Sequence, residues 1–205
     1  MISKLPWSPR KMAQLIKRIF LKYVIGYKKE QNYWDARWRL GLRNDVWDEG
    51  RRQEMIILLN AIMAKHECQS FLDVGCGKAA LREVRGYVGL DFSIESIKRS
   101  GLKEAIFADV TNHIPLPSKS FDAAFTRTVL LHISPSKIDK AVSEISRVTK
   151  KCLILLEPKY VPGLVQEQIH SFNHDYSKIV RRYFHEKVIF LSLGGNGFYQ
   201  EELQG

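Results

Sequence analysis

The sequence predicts an α/β fold: a doubly wound, mostly parallel sheet with helices on both faces. Five short apolar runs have the character of buried strands, and helical patterns separate most of them. They cover 70–74, 87–91, 105–109, 121–126 and 152–157. Of the 205 residues 45% are hydrophobic and 26% are charged, as in an ordinary globular domain. This composition argues against disordered, collagen-like and disulfide-stapled chains.

The remaining elements complete this fold. A helix is expected over 49–65 and another over 136–150, where apolar residues recur at helical spacing. Near the C-terminus, 186–193 and 198–203 flank a Gly-Gly-Asn-Gly turn, which predicts a closing antiparallel hairpin. The sequence therefore predicts an α/β domain over 49–205.

Residues 1–48 are predicted to form a basic, amphipathic helical arm or lid. Residues 1–30 hold +7 of the formal net charge of +10, and 10–29 alternate apolar and basic positions at helical spacing. Three roles stay open for the arm: packing on the fold, lying on an anionic membrane surface through 10–29, and holding RNA or a protein. Four residues could fold over a bound cation as a lid, and they are Tyr33, Trp34, Arg37 and Trp38.

The three cysteines predict a reducing, cytoplasmic location. Peripheral attachment to a membrane stays an option because of the basic arm. Cys68, Cys76 and Cys152 have no paired spacing, so neither a disulfide framework nor a zinc site is expected. No apolar run reaches the roughly 18 residues that span a bilayer. The N-terminal residues also lack the features of a signal peptide.

Polar residues end the predicted strands, and in a parallel sheet these ends meet at the edge where ligands bind. Gly75 and Gly77 allow a tight turn and a close approach of a ligand to the backbone. Asp91 ends the second strand, where a carboxylate can accept both hydroxyls of a ribose. Because Ser93 is the better cap for the following helix, Asp91 is expected to be free for this role.

Two acids favour a ligand other than a nicotinamide dinucleotide. Asp73 lies two residues before the first glycine, where it could hold the turn amides and face a cationic amino-acid group. Asp109 ends the third strand, where it could accept a hydrogen bond from an adenine amine. The glycine pattern alone also fits a dinucleotide site, so an NAD-dependent oxidoreductase stays as an alternative.

Four segments in this order resemble the class I S-adenosylmethionine-dependent methyltransferases, in particular the branch that acts on small molecules. They are FLDVGCGKA (71–79), YVGLDFS (87–93), ADVTNHIPLPSKSFDAAFTRTVLLHIS (108–134) and EISRVTKKCLILLEP (144–158). The sequence departs from the family at Lys78, where a small residue is usual, and at Ala79, where a third glycine is usual. The resemblance implies a Rossmann-like methyltransferase fold with S-adenosyl-L-methionine as cofactor.

The resemblance also implies roles for individual residues. The methionine portion of the cofactor would be held by Asp73, Gly75, Cys76 and Gly77. The ribose would bind Asp91, and the adenine would contact Phe92, Asp109 and the Val110 amide. Thr126 and Arg127 would flank the sulfonium and the acceptor, whereas His132 occupies a position that is usually structural.

The methyl acceptor is expected to be a small molecule or a lipid-linked compound. If a general base is used, the candidates are His170 and His174, at i and i+4 on a predicted helix, with Arg127 as a further catalytic candidate. Glu157 would lie at the acceptor end or cap a strand. No metal site is expected, because the two histidines lack a third ligand at suitable spacing.

Two further alternatives concern function. An RNA methyltransferase is favoured only by the positive net charge. Nucleic-acid enzymes that methylate amino groups carry an Asn/Asp-Pro-Pro-aromatic motif after the fourth strand, where this sequence has Thr126-Arg127-Thr128-Val129. A 5-cytosine enzyme would need a nucleophilic cysteine in that region, whereas Cys152 lies within the fifth strand. A non-catalytic cofactor-binding protein on the same fold is the alternative from a different class.

Overall fold

The computed structural model describes residues 30–40, 48–103, 105–163, 171–194 and 197–203. Within these ranges the helices are α1 (Glu30–Arg39), α2 (Glu49–Lys65), α3 (Ile94–Ser100), α4 (Ile138–Val148) and α5 (Tyr176–Val180). A 3-10 turn spans Leu130–His132. The strands are β1 (Phe71–Val74), β2 (Tyr87–Asp91), β3 (Ala105–Phe107), β4 (Phe121–Arg127), β5 (Thr149–Leu156), β6 (Lys187–Gly194) and β7 (Gly197–Leu203).

The strands form one sheet in the order β3-β2-β1-β4-β5-β6-β7. Strands β1 to β6 pair in parallel, and β7 pairs antiparallel with β6 from Val188 opposite Leu203 to Gly194 opposite Gly197. The chain runs outward from β1 to β3 and then returns to β4 on the other side of β1. Strand order therefore reverses between β1 and β4, which opens a crevice beyond their carboxyl ends. The predicted doubly wound α/β fold is confirmed.

Apolar side chains cover both faces of the sheet. On one face α4 and α5 pack over Leu72 and Leu153. On the other face α2 packs over Phe71 and Phe125. The helical spacing in α4 is confirmed, since its apolar residues Ile138, Val142, Ile145 and Val148 are all buried. Each such side chain contributes about 1.5–3 kcal/mol when it leaves water.

Two of the connections between parallel strands lack a helix. Residues 75–86, between β1 and β2, are turns, and Leu81 and Val84 supply the apolar contacts that a helix would otherwise make. Gly77 and Ala79 have left-handed φ angles of +57° and +54°, which prevent a regular helix from starting there. The carboxyl edge therefore lacks the helix N-terminus that often follows a glycine turn of this kind.

The connection between β3 and β4 is an irregular loop anchored by α4. The Ile114 amide donates to Glu144 Oε2 at 3.0 Å, and Arg147 donates to the Ile114 and Leu116 carbonyls at 2.8 and 2.7 Å. Burial alone would raise the pKa of Glu144, but the hydrogen bonds from Arg147 and Lys140 lower it to about 2. The loop that carries Asp109 is thus fixed by ionised side chains on α4.

Helix α1 lies within residues 1–48, the segment that the sequence predicts to be a helical arm or lid. It packs on α3, as the hydrogen bonds of its Asp35 show. Helix α2 has the predicted bounds, and its N-cap is Asp48, whose side chain accepts from the Arg51 amide. The predicted helix over 10–29 lies outside the described residues. Within the described ranges, no helix is long and apolar enough to cross a membrane.

Candidate active site

The turn after β1 brings two left-handed glycines to the carboxyl edge of the sheet. Gly75 and Gly77 have φ angles of +72° and +57°, a region that favours glycine. The Gly75 and Cys76 amides donate to the Leu90 carbonyl at 2.7 and 3.0 Å, which ties the turn to β2. A Cβ on Gly75 would lie 2.3 Å from Val129 Cγ2. The segment after β4 therefore rests directly on the glycine turn.

The two departures from the family pattern have different structural consequences. Ala79 is fully buried and keeps the left-handed backbone at φ +54°, so the turn retains its shape at a cost of about 1–2 kcal/mol. Lys78 is exposed, and its Nζ lies 5.7 Å from the centre of the Trp38 ring on α1. The lysine thus links the glycine turn to α1.

Asp91 lies at the end of β2 as predicted, but it is not free. Its Oδ2 accepts from the Gly77 amide at 3.0 Å and from Ser96 Oγ at 3.1 Å, and its Oδ1 accepts from the Ser93 amide at 2.9 Å. Ser93 is the N-cap of α3, as expected. The expectation of a free Asp91 is wrong: although Ser93 caps α3, the Gly77 and Ser93 amides are buried polar groups that use Asp91 as their acceptor. Asp91 braces the glycine turn against α3.

Asp73 is buried on β1, beside charged groups from two neighbouring strands. It is 5% exposed, and its Oδ2 accepts a hydrogen bond of 2.9 Å from the Tyr87 hydroxyl. Burial raises the pKa of Asp73 to about 7, and Asp91 adds to this effect, whereas the Tyr87 bond and Arg127 oppose it. Burial also lowers the pKa of Arg127 and raises that of the Cys76 thiol.

The residues expected to contact an adenine lie next to one another. The Ala108 amide donates to the Asp91 carbonyl at 3.2 Å, which places the segment after β3 beside the end of β2. Asp109 lies two residues beyond the end of β3. Its Oδ1 accepts hydrogen bonds from the Thr111 amide and hydroxyl, both at 2.8 Å, and these bonds form a turn that ends the strand before Asp109. The side chain of Val110 is buried, and that of Phe92 is half-buried.

The end of β4 divides its side chains between the two faces of the sheet. Thr126 is fully buried, whereas Arg127 is partly exposed on the face that carries Asp73. The next residue, Thr128, has a left-handed φ of +50°, and its amide donates to the Leu156 carbonyl at 3.1 Å. The chain therefore turns sharply after β4, towards the glycine turn.

Glu157 serves as a cap in this structure. Its Oε1 accepts from the Val129 and Leu130 amides at 3.0 and 3.2 Å, and its Oε2 accepts from the Leu131 amide at 3.4 Å. Burial raises the pKa of Glu157 to about 7, although these amides favour the ionised form. Of the two roles expected for Glu157, the hydrogen bonds support the cap.

Helix α1 is attached to the site by a buried acid. Asp35 Oδ1 accepts from Ser93 Oγ at 2.5 Å and from the Glu95 amide at 3.3 Å, and the residue is 9% exposed. Because Ser93 also caps α3 and donates its amide to Asp91, the bond from Asp35 joins α1 to the brace of the glycine turn.

The aromatic residues of α1 reach two further segments of the site. The Trp34 ring lies 4.7 Å from that of His132, edge to face, after β4. The Arg37 guanidinium lies 5.4 Å from the centre of the Trp34 ring, and Trp38 meets Lys78 as described above. Helix α1 thus contacts the glycine turn, the start of α3 and the segment after β4, and these three segments surround the crevice.

The expected helix over His170 and His174 is wrong for the part that the structure describes. Residues 171–175 are not helical, because Asp175 accepts from the Lys178 amide and starts α5 at Tyr176. His174 is buried, and its Nε2 lies 2.8 Å from the Ile133 carbonyl. Burial lowers the pKa of His174, which keeps the ring neutral. His170 lies outside the described residues. Among the described side chains, no group of three or more could hold a metal ion.

Three residues that structure the site were missed by sequence reasoning: Asp35, Tyr87 and Val129. The signal for Asp35 was an acid between two tryptophans, an unusual position for a solvated charge. Tyr87 read only as the first residue of an apolar strand. Nothing in the local sequence indicated that Val129 would contact Gly75.

The comparisons with known proteins agree with this architecture. Residues 72–154 match the family model described as a methyltransferase domain. No curated protein sequence matches the chain. A SAM-dependent methyltransferase from Thermotoga maritima has 16% identity and a TM-score of 0.54, over 84% of this chain and 94% of that one. A methyltransferase in complex with the Haloferax volcanii Trm112 activator has 19% identity and a TM-score of 0.53, over 77% and 75%.

A third similar structure is matched over a smaller part of its length. DesVI from Streptomyces venezuelae shares 15% identity with a TM-score of 0.46, over 58% of this chain, and the match spans 55% of DesVI. With the strand order, the glycine turn and the four motifs, the family match defines a class I methyltransferase domain. Residues 72–154 therefore match a methyltransferase domain, as the motifs indicated, and the chain shares the fold of SAM-dependent methyltransferases.

Proposed function

We propose that this chain binds S-adenosyl-L-methionine at the carboxyl edge of β1, β2 and β4 and transfers its methyl group to a small-molecule acceptor. The observation that carries the proposal is the convergence of Asp73, the left-handed Gly75–Gly77 turn and Asp91 at the point where strand order reverses. Ligands of open α/β sheets bind at this point.

The chemistry of these groups fits the cofactor. A carboxylate at Asp73 suits the methionine ammonium, and the glycine turn lets the backbone approach the methionine portion closely. Asp91 is held in place by three donors and has a carboxylate lone pair that could accept from a ribose hydroxyl. Phe92, Asp109 and Val110 would contact the adenine.

When bound, the cofactor supplies an electrophilic sulfonium methyl for an in-line displacement. The protein contributes orientation and the exclusion of water. Trp34 and Trp38 on α1 are well suited to both tasks, because aromatic faces stabilise a cation and their ring contacts hold α1 over the edge. Thr126 and Arg127 would flank the reacting centre. His174 and Arg127 stay candidates for a catalytic role, together with His170.

A small acceptor is favoured by the contacts of α1. A helix that touches the glycine turn, α3 and the segment after β4 narrows access to the crevice, which suits a small molecule better than a folded RNA. A lipid-linked acceptor is a further option, and it depends on residues 10–29 lying at an anionic membrane. The domain boundary near residue 48 and a cytoplasmic location also remain predictions.

Calorimetry with S-adenosylhomocysteine and with NAD tests the cofactor. We expect the first ligand to bind and NAD not to bind. Asp73→Asn should weaken binding, because the methionine ammonium loses its charged partner. Asp122→Asn is the matched control: Asp122 also accepts a hydrogen bond, from the Gln69 amide at 2.8 Å, but it lies near the start of β4, at the opposite edge of the sheet. Binding of NAD alone would refute the proposal.

A labelled methyl group tests the acceptor. The full chain is incubated with methyl-labelled cofactor and a cell extract, which is then separated into water-soluble small molecules, chloroform-soluble lipids and RNA. Label in the small molecules supports the proposal, and label in the lipids indicates a lipid-linked acceptor. Label in RNA would refute the small-molecule assignment. Cofactor binding without any transfer would favour a non-catalytic binding protein.

A further inference from the structure

Tyr87 reaches across the sheet to the carboxylate of Asp73. It is the first residue of β2 and stands opposite Phe71, and Asp73 stands opposite Gly89 in the same register. The Tyr87 hydroxyl extends along the face to Asp73 Oδ2, at 2.9 Å, while the space above Gly89 is taken by Cys76, whose Sγ would lie 2.8 Å from a Cβ there. The Tyr87 ring is stacked on Phe71, with centroids 6.2 Å apart and planes 30° from parallel.

The hydroxyl of Tyr87 has a role beyond the packing of its aromatic ring. A phenylalanine would make the same contact with Phe71, whereas the hydroxyl adds the bond to Asp73 and an interaction with the Cys76 thiol. Among the described residues, this hydroxyl is the hydrogen-bond donor found for the Asp73 carboxylate, and it occupies Oδ2.

The charged surroundings of Asp73 make this bond important for its ionisation. Asp91 on β2 disfavours the ionised carboxylate, whereas Arg127 on β4 favours it. The Cys76 thiol beside it has a raised pKa and stays neutral. Burial raises the pKa of Tyr87 itself, so its hydroxyl remains a proton donor throughout the neutral range. The bond therefore consistently stabilises the charged form of Asp73.

We propose that Tyr87 is a positioning residue for the cofactor: its hydroxyl aims the Asp73 carboxylate and keeps it charged for the methionine ammonium. This inference rests on the proposed function. Cofactor binding then depends on pH, because an ammonium group binds a carboxylate better than a carboxylic acid. Affinity rises as pH increases through the pKa of Asp73, which is about 7, and the ligand-bound protein releases the proton.

The Tyr87→Phe variant separates this role from packing. The lost hydrogen bond raises the pKa of Asp73, so the rise in affinity moves to higher pH. At pH 7 we expect S-adenosylhomocysteine to bind about 3- to 10-fold more weakly than to the wild-type chain, with the difference shrinking towards pH 8. Calorimetry between pH 5.5 and 8 measures both effects. Carbon-13 NMR of the Asp73 carboxyl, without ligand, measures its pKa directly.

Tyr183→Phe is the matched control. Tyr183 also donates to an aspartate, Asp139 Oδ1 at 3.0 Å, but it is exposed and its partner lies on α4, outside the residues proposed to hold the cofactor. This variant should bind the ligand as the wild-type chain does at every pH. If Tyr87→Phe follows the wild-type pH profile, or weakens binding equally at all pH values, the inference is wrong. If the wild-type chain fails to bind the ligand, the proposed function fails as well.

Discussion

The attachment of α1 through Asp35 predicts a large effect of one substitution on cofactor affinity. Asp35→Ala removes the acceptor of a 2.5 Å bond from Ser93 Oγ and of a 3.3 Å bond from the Glu95 amide. A hydrogen bond to a charged group contributes about 1.5–3 kcal/mol, and the longer bond adds less. We therefore expect the docking of α1 to weaken by about 2–3 kcal/mol.

This loss sets the expected change in binding. If only the docked state of α1 encloses the ligand, the apparent affinity falls with the docked fraction. A loss of about 2–3 kcal/mol weakens the affinity for S-adenosylhomocysteine by as much as 30- to 150-fold. The change is smaller to the extent that α1 stays docked in the variant. Asp35→Asn keeps an acceptor oxygen without the charge, so its affinity should lie between those of the wild-type chain and Asp35→Ala.

Calorimetry measures the affinity, and hydrogen exchange of residues 30–39 measures the docking. Asp122→Ala is the control, because it removes the acceptor of a 2.8 Å bond from the Gln69 amide, at the opposite edge of the sheet, and should lower stability by about 1 kcal/mol without changing affinity. Faster exchange in α1 with unchanged affinity would refute the role of α1 as a lid. Unchanged exchange would refute the calculated docking energy.

Three further predictions concern stability, measured by urea unfolding. Gly75→Ala should lower the free energy of unfolding by about 2–4 kcal/mol, because φ is +72° and the new Cβ meets Val129; adding Val129→Ala should recover part of this loss. Ala79→Gly should stay within about 1 kcal/mol of the wild type, because relief of the left-handed strain offsets the lost methyl contact. The raised pKa of Glu157 should make stability fall by up to about 3 kcal/mol as pH rises from about 4.5 to 7, and Glu157→Gln should flatten this slope.

A different result would contradict each of these stability predictions. No recovery in the Gly75→Ala/Val129→Ala variant would mean that backbone strain, and not the clash, dominates. A loss of several kcal/mol in Ala79→Gly would show that the turn needs the methyl group more than it needs relief of strain. An unchanged pH slope in Glu157→Gln would assign the slope to Asp73, whose pKa is raised in the same direction.

Much of the fold and part of the site followed from local patterns. Runs of buried residues predicted β1, β2 and β4 to within one residue, because a strand covered on both faces must be apolar along its length. Asp91 was found because it ends such a run, and Asp73 because it lies next to the end of one, two residues before the first glycine. The helix expected around His174 failed, since a capping aspartate at 175 outweighed the polar spacing on which the expectation rested.

The sequence by itself determined the order of strands and helices, the glycine turn and the carboxylates that end the strands. These features depend on residues close together in the chain, where periodicity and backbone preference act. Only the tertiary structure decided that Asp35 bonds Ser93, 58 positions away, that Tyr87 bonds Asp73 and that Val129 rests on Gly75. Such contacts depend on strand register and helix docking, which arise from the packing of the whole core and leave no local pattern.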